Sequence, residues 1–143
     1  MSATATLAPP KPKTAFRKMQ SVLLVDRIEP CLDFWVETLG FEVRVQVPVE
    51  GEDHLEFVSL GRDDVEVLYR TRDSLHDDAP GLVDNHEHQP WVVMYLEVDD
   101  LDELLPRLEG VETVVPIRET IFGTREVFVR EPSGRILAIA SRD

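Results

Sequence analysis

The amino-acid sequence predicts an α+β protein built from two βαβββ modules, whose sheets form a curved, incomplete barrel around one cleft. A pattern of one strand, one helix and three strands occurs twice along the 143 residues. Equivalent positions lie 72–73 residues apart, as Val25 and Val98 do, and both predicted helices carry apolar residues along one face. Duplicated units that face each other enclose a cleft, and we expect the function to lie there.

The first module is predicted over residues 18–70, after a flexible N-terminal arm over residues 1–17. Apolar residues that recur at strand or helix spacing define its elements. These are a strand over 19–25, a helix over 29–39, a half-buried alternating strand over 41–47, and two further strands over 54–60 and 65–70.

The ends of the first helix are indicated by three residues. Asp26 and Glu29 stand three positions apart, the spacing of a helix N-cap and its reciprocal acid. Gly40 follows the last apolar position, and glycine adopts the left-handed cap conformation at low cost. We therefore expect a helix that begins with a capping box and ends at this glycine.

The second module is predicted over residues 91–143, after a linker over 71–90 that shows no periodicity. Asp99 or Asp100 is expected to cap its helix, and Pro106 should kink or shorten that helix because proline cannot donate a helical hydrogen bond. Its elements are a strand over 91–98, a helix over about 100–108, and strands over 111–116, 124–130 and 135–141, the last two joined by a tight turn over 131–134.

The composition excludes several classes of function. A net charge of −13 argues against binding to nucleic acid or anionic membranes, which require clusters of lysine and arginine. It is compatible with a cationic ligand, and also with solubility alone. No apolar run approaches the roughly 20 residues that span a bilayer, and residues 1–13 contain no apolar stretch typical of a secretory signal, so we expect neither a membrane span nor such a signal. The single cysteine, Cys31, excludes an internal disulfide, so we expect a reducing, cytoplasmic location.

Three segments resemble the vicinal oxygen chelate superfamily, which contains glyoxalases, bleomycin-resistance proteins and extradiol dioxygenases. The resemblance covers residues 18–141, and its most specific part looks like the closing hairpin of the family. The segments are Asp-Arg-Ile-Glu-Pro-Cys-Leu-Asp-Phe-Trp at 26–35 with Leu-Gly-Phe-Glu at 39–42, Val-Asp-Asp-Leu-Asp at 98–102, and Phe-Gly-Thr-Arg-Glu-Val-Phe-Val-Arg-Glu-Pro-Ser-Gly at 122–134.

The resemblance implies four metal-binding positions, one on the first and one on the last strand of each module. In this sequence these positions hold Gln20, Glu66, Val93 and Ala138. Two of them have no donor atom, whereas a catalytic metal normally has about three protein ligands. We therefore predict no metal site and no cofactor. His86 and His88 could bind a metal only if the linker folded inward, and a solvated loop is the simpler interpretation.

The cleft is expected to be apolar and aromatic, with a few polar groups. Counting by two from the former metal positions directs Leu24 and Tyr95 inward, and strand parity does the same for Phe57. Glu126 and Phe128 are added by the resemblance. The aromatic residues could instead belong to the sheet core, and Glu126 could pair with an arginine. The predicted ligand-binding residues are Gln20, Leu24, Phe57, Glu66, Tyr95, Glu126 and Phe128.

Glu66 is the most unusual residue of this set, because it lies between two valines near the start of a strand. A buried, unpaired carboxylate costs several kcal/mol, so this residue must have a partner. Gln20, an arginine or a bound ligand could each provide it.

Three functions remain open on this sequence. We favour a metal-free protein of the bleomycin-resistance type that binds an aromatic or cationic small molecule without chemistry. The alternatives are a divergent metal-dependent lyase, isomerase or dioxygenase that uses Glu66, and a protein that serves association or regulation without a ligand. By resemblance we also expect a homodimer.

Overall fold

The structure is a computed structural model that describes residues 10–15, 17–18, 20–78, 92–121 and 123–142. The first module runs through β1 (Val22–Val25), α1 (Glu29–Asp33), a π-helical segment (Phe34–Thr38), β2 (Glu42–Pro48), β3 (Leu55–Arg62) and β4 (Val65–Thr71). The second runs through β5 (Val93–Glu97), α3 (Leu101–Leu104), a 3-10 turn (Leu105–Leu108), β6 (Thr113–Glu119), β7 (Thr124–Arg130) and β8 (Ile136–Arg142). A further helix, α2 (Arg72–Asp78), directly follows β4.

The strand pairing confirms the two βαβββ modules. The described strands form two four-stranded mixed sheets with the equivalent orders β1-β4-β3-β2 and β5-β8-β7-β6. In each sheet the first and last strands of the module pair in parallel, and the remaining pairs are antiparallel. β4 and β8 are therefore equivalent, as the 72–73-residue offset predicts. The closure of both sheets into one curved barrel stays a prediction.

The first helix differs from its prediction at its start. Ile28, not Asp26, occupies the N-cap, and no side chain caps the helix. The Glu29 carboxylate instead accepts a hydrogen bond from the backbone N–H of Leu55 at 2.7 Å, so it joins the helix to β3. The second half of the helix is π-helical, with the Leu39 N–H bonded to the Phe34 carbonyl, and Gly40 has the expected positive φ of 77°.

The second helix agrees with its prediction at both ends. The Asp100 carboxylate accepts a hydrogen bond from the Glu103 N–H at 3.4 Å and thereby caps α3. Pro106 lies at the start of the 3-10 turn, where the helix tightens and ends at Leu108. Gly134, in the predicted turn before β8, has a φ of 92° and donates its N–H to the Glu131 carbonyl.

One prediction about the first module is wrong. β2 is not half-buried: all seven of its residues are exposed on this edge strand of the first sheet, and its pairing with β3 shifts register after Val43 and after Val47.

The linker predicted over residues 71–90 begins with the helix α2, and its role as a linker stays a prediction. Tertiary ion pairs hold that helix, with Arg70 2.6 Å from Asp78 and Arg72 3.0 Å from Asp26. The rest of the linker, with His86 and His88, lies outside the described residues.

One hydrophobic cluster contains residues of both modules. Trp35 of the first module and Leu101, Val129 and Ile139 of the second are nearly or fully buried in it. One side of each sheet faces this core, whereas the alternate residues Val22, Val93 and Tyr95 are exposed. None of the described helices is long and apolar enough to cross a membrane.

Candidate functional site

A cleft of about 510 Å³ lies at the adjoining ends of the two modules. Its walls come from the chain before β1, from the start of β4 and from β5. Both β1 and β5 are edge strands of their sheets. The lining shows that side chains of both modules reach the same space. Its lining is Lys18, Gln20, Ser21, Trp35, Asp64, Val65, Glu66, Val67, Val92, Val93, Met94, Tyr95, Leu96 and Leu137.

Glu66 is the central polar group of this cleft. One carboxylate oxygen accepts a hydrogen bond from the Gln20 side-chain amide, and the other accepts one from the Ser59 hydroxyl at 2.8 Å. No ion pair among the described residues includes Glu66. Both donors are neutral, so these contacts orient the carboxylate without forming an ion pair. Glu66 is exposed and not buried, so its charge is solvated and accessible to a ligand.

The remaining walls of the cleft are mainly apolar. Tyr95 is 56% exposed and Val93 is 47% exposed, so both form an accessible rim. Trp35 lies deeper, 2% exposed, and packs edge-on against Phe34 and Phe41. The arrangement offers aromatic and aliphatic surface beside a charged acceptor, which suits a guest with an apolar body and a cationic or donor end.

A buried hydrogen-bond network fixes the position of Trp35. Its indole N–H donates to the Tyr69 hydroxyl at 2.8 Å, and that hydroxyl donates to the Glu131 carboxylate. Glu131 is 2% exposed and also accepts the backbone N–H groups of Ser133 and Arg135. Burial and the Glu131 charge raise the pKa of Tyr69 well above its usual range, so the phenol stays protonated and remains a donor.

The structure brings only part of the predicted ligand set together. Gln20, Glu66 and Tyr95 line the cleft. Leu24 and Phe57 do not, although both oppose Arg70 on the first sheet. Directly opposed residues share a face, so these two lie on the sheet side that carries Glu66.

Glu126 and Phe128 form a separate cluster on the second sheet. The Glu126 carboxylate lies 3.2 Å from the Arg118 guanidinium, which in turn lies 5.4 Å above the Phe128 ring. Pairing of Glu126 with an arginine, the alternative open from the sequence, is therefore observed. Arg118 neutralises this carboxylate, which makes it a poorer acceptor for a cation than Glu66.

Sequence reasoning missed Ser59 and Trp35. Ser59 lies two residues after Phe57, so strand periodicity alone would have placed it on the inner face. Trp35 carried no such signal, because its helical spacing indicated only a core residue. Its place in the cleft depends on how the two modules pack together.

The residues present do not fit a catalytic metal. Gln20 and Glu66 supply two oxygen donors, whereas Val93 and the fully buried Ala138 supply none. Among the described residues no group of three or more histidine, cysteine, aspartate and glutamate side chains is arranged to hold a metal ion. Three protein ligands are the usual minimum for a catalytic site.

A family model matches residues 19–139, which include both sheets and the cleft. Its description is Glyoxalase/Bleomycin resistance protein/Dioxygenase superfamily. The chain belongs to this superfamily. This assignment confirms the family inferred from the sequence, while the branch within the vicinal oxygen chelate superfamily stays a prediction.

Solved structures of the superfamily fold resemble the chain over most of its length. TioX from Micromonospora sp. ML1 has a TM-score of 0.69 and 19% identity, covering 90% of this chain and 100% of that one. A member from Sphaerobacter thermophilus DSM 20745 has a TM-score of 0.65 and 22% identity, covering 90% and 98%. The bleomycin-binding protein of Streptomyces verticillus, complexed with copper(II)-bleomycin, has a TM-score of 0.58 and 23% identity, covering 91% and 99%. None of the curated proteins matches the chain in sequence.

Proposed function

We propose that this superfamily member binds an aromatic or cationic small molecule in the cleft without a metal and without catalysing a reaction. The observation that carries the proposal is the Glu66 carboxylate, which neutral donors hold in place in a cleft that the exposed ring of Tyr95 also lines. A carboxylate next to an aromatic wall binds a cation by charge and its apolar body by stacking.

Two further facts support a binding role of the bleomycin-resistance type. The bleomycin-binding protein of S. verticillus shares the fold and was solved with copper(II)-bleomycin. The former metal positions Val93 and Ala138 carry no donor atoms, so the chain lacks the ligand set on which metal-dependent relatives rely.

A binding assay tests the proposal directly. Trp35 and Trp91 are the two tryptophans of the chain, so Trp91→Phe leaves Trp35 as the single emitter in the cleft wall. Copper(II)-bleomycin and ethidium, a planar cation, should change the Trp35 emission with saturation at micromolar concentration. Glu66→Gln should lower the affinity measured in these titrations, whereas Glu126→Gln, outside the cleft, should leave it unchanged. Identical titrations for both variants would contradict the role of the cleft.

Metal content distinguishes the proposal from a divergent lyase, isomerase or dioxygenase. Elemental analysis of protein produced in metal-supplemented medium should show well below one zinc, nickel, iron or manganese per chain. Stoichiometric metal that disappears in Glu66→Ala would favour the enzyme. A broad screen by native mass spectrometry that detects neither metal nor ligand would favour a role in association alone.

We also propose that the protein is a homodimer. Exposed apolar residues outside the cleft lining support this, since Val43, Val45 and Val47 on the edge strand β2 are 44%, 50% and 39% exposed. Monomers rarely leave such a group of apolar residues in contact with water unless it serves binding. Light scattering during gel filtration should give twice the chain mass of 16.3 kDa. A monomer at 50–100 µM, roughly the range in which weak dimers assemble, would contradict it.

A further inference from the structure

The positive charges of the chain are unevenly distributed. All three lysines, Lys11, Lys13 and Lys18, lie together with Arg17 in the segment 10–18, here named the basic arm. The first acidic residue is Asp26, so residues 1–25 carry a formal charge of +4. Because the whole chain has a charge of −13, residues 26–143 carry −17. The folded part is therefore strongly acidic, and its cations are all arginines.

The basic arm projects into solvent next to the cleft. Each of its described residues is exposed, and none of its four basic side chains forms an ion pair within the described residues. Its last residue, Lys18, reaches the lining of the cleft, where Asp64 and Glu66 also lie. The arm thus has four positive charges that can contact another surface. Its last residue lies at the mouth of the proposed binding site.

Charge complementarity favours one partner for this arm. A nucleic acid or an anionic membrane would attract the arm but repel the folded part, whose charge is about four times larger and opposite in sign. The acidic folded part, with a charge of −17, attracts the arm, and in a dimer the second copy presents this surface to it. Two such copies also repel each other unless opposite charge is placed between them.

We propose that the basic arm of one copy binds the acidic folded part of the second copy and so strengthens the dimer. The proposal rests on the homodimer proposed above and adds a specific contact to it. The arm offsets the repulsion between two acidic bodies, and it carries basic groups of one copy onto the surface of the other. The contact is electrostatic between exposed groups, so salt should weaken it.

Self-association of the full chain tests the electrostatic role of the arm. Sedimentation velocity in about 25 mM and 500 mM salt compares wild type with the variant Lys11→Gln, Lys13→Gln, Arg17→Gln, Lys18→Gln. At low salt the dissociation constant of the dimer should be about tenfold higher for the variant than for wild type. The effect is no larger because each of the exposed ion pairs that are lost contributes little. At high salt the two should agree. The matched control Lys11→Arg, Lys13→Arg, Lys18→Arg keeps the charges and should behave as wild type.

The uneven lysine distribution provides a second measurement. Carbodiimide joins amines to carboxylates in contact, so every lysine cross-link originates from the arm. In a mixture of nitrogen-15-labelled and unlabelled protein, mass spectrometry should find arm lysines joined to Asp or Glu of residues 26–143 in a differently labelled chain. The lysine-to-arginine control should lose these links while remaining dimeric.

The outcomes separate the two proposals. A monomeric wild type under all conditions overturns both the dimer and the arm contact. A dimeric wild type whose affinity is unchanged in the glutamine variant overturns the arm contact alone. Cross-links confined to one chain, or a tighter association of the arm with a single-stranded oligonucleotide than with a second copy, would also overturn it.

Discussion

The hydroxyl of Tyr69, on the last strand of the first module, donates a hydrogen bond to the carboxylate of Glu131, in the turn that precedes the last strand of the second. Tyr69 is 0% exposed and Glu131 is 2% exposed. A buried carboxylate is tolerated only where donors satisfy it, and here donors from both modules do so. Arg135 adds a second connection, because its guanidinium donates to the Leu24 carbonyl of β1 at 3.2 Å.

These contacts between the two modules also extend to the cleft. Trp35 lines the cleft and donates its indole N–H to the same tyrosine hydroxyl. The orientation of the indole therefore depends on a group that is bound by the second module. One hydrogen-bond network therefore holds the two modules together and also fixes a wall of the cleft.

Removal of the Tyr69 hydroxyl should destabilise the fold. Tyr69→Phe leaves the Trp35 indole N–H without an acceptor and removes one donor from the buried Glu131 charge. We expect the free energy of unfolding to fall by about 2 kcal/mol, measured by urea denaturation at pH 7. Tyr95→Phe, at a 56% exposed position, is the matched control and should change it by less than about 0.5 kcal/mol. Equal effects of the two substitutions would contradict the network.

Glu131→Gln should also be destabilising, even though the two side chains have the same shape. One Glu131 oxygen accepts from Ser133 and from the Arg135 N–H, and the other accepts from Tyr69. The amide nitrogen of glutamine would face hydrogen-bond donors at the position of either carboxylate oxygen. The free energy of unfolding should therefore fall by about 2–4 kcal/mol. The double variant with Tyr69→Phe should lose less than the sum of the single losses, because both remove the same contact. Additive losses in denaturation experiments would show that the two residues act independently.

Alkaline pH should reduce stability through Cys31. Burial, together with the charge of Glu131, raises the pKa of this thiol to about 11. Above about pH 9 the thiol ionises in the unfolded chain but not in the folded one, so the unfolded state binds fewer protons and stability falls. The free energy of unfolding should drop by about 1 kcal/mol between pH 8 and pH 10 from this group. Cys31→Ala should flatten this part of the pH profile, and an unchanged profile would contradict the assignment.

The fold was predictable from the sequence because its signals are local. The apolar pattern of the strands other than β2, and the helix ends near Gly40 and Pro106, depend on near neighbours only, and the structure confirms them. The errors concern residues whose roles depend on distant contacts. Glu29 matched a capping pattern but binds the N–H of Leu55 on β3, and α2 forms although its sequence shows no periodicity, held by an ion pair to Asp26.

The site was predictable only within each module. The resemblance placed Gln20 and Glu66 at two of the four metal-binding positions, and the structure joins them by a hydrogen bond. Neither the resemblance nor strand counting shows how one sheet packs against the other. The predicted set therefore omitted Trp35, which lines the cleft together with residues of the second module, while a binding role of Phe128 stays a prediction.

The remaining prediction concerns the charge of Glu66, which we propose as the polar anchor for a cationic ligand. Glu66→Gln keeps the shape and preserves an oxygen for either Gln20 or Ser59, but removes the negative charge. The affinity for copper(II)-bleomycin or ethidium should fall by about 1–3 kcal/mol, the range for a charged hydrogen bond. The free energy of unfolding should change by less than about 1 kcal/mol, because no ion pair of the described residues is lost.

Glu37→Gln serves as the matched control for Glu66→Gln, because Glu37 is exposed on the π-helical segment and is not part of the cleft lining. It removes the same charge from the protein, so any long-range effect of net charge on a cationic ligand appears in both variants. Titration calorimetry and thermal melts of the two, with and without ligand, separate local binding from general electrostatics. A large loss of melting temperature in ligand-free Glu66→Gln, with affinity unchanged, would show that this carboxylate serves the fold and not the ligand.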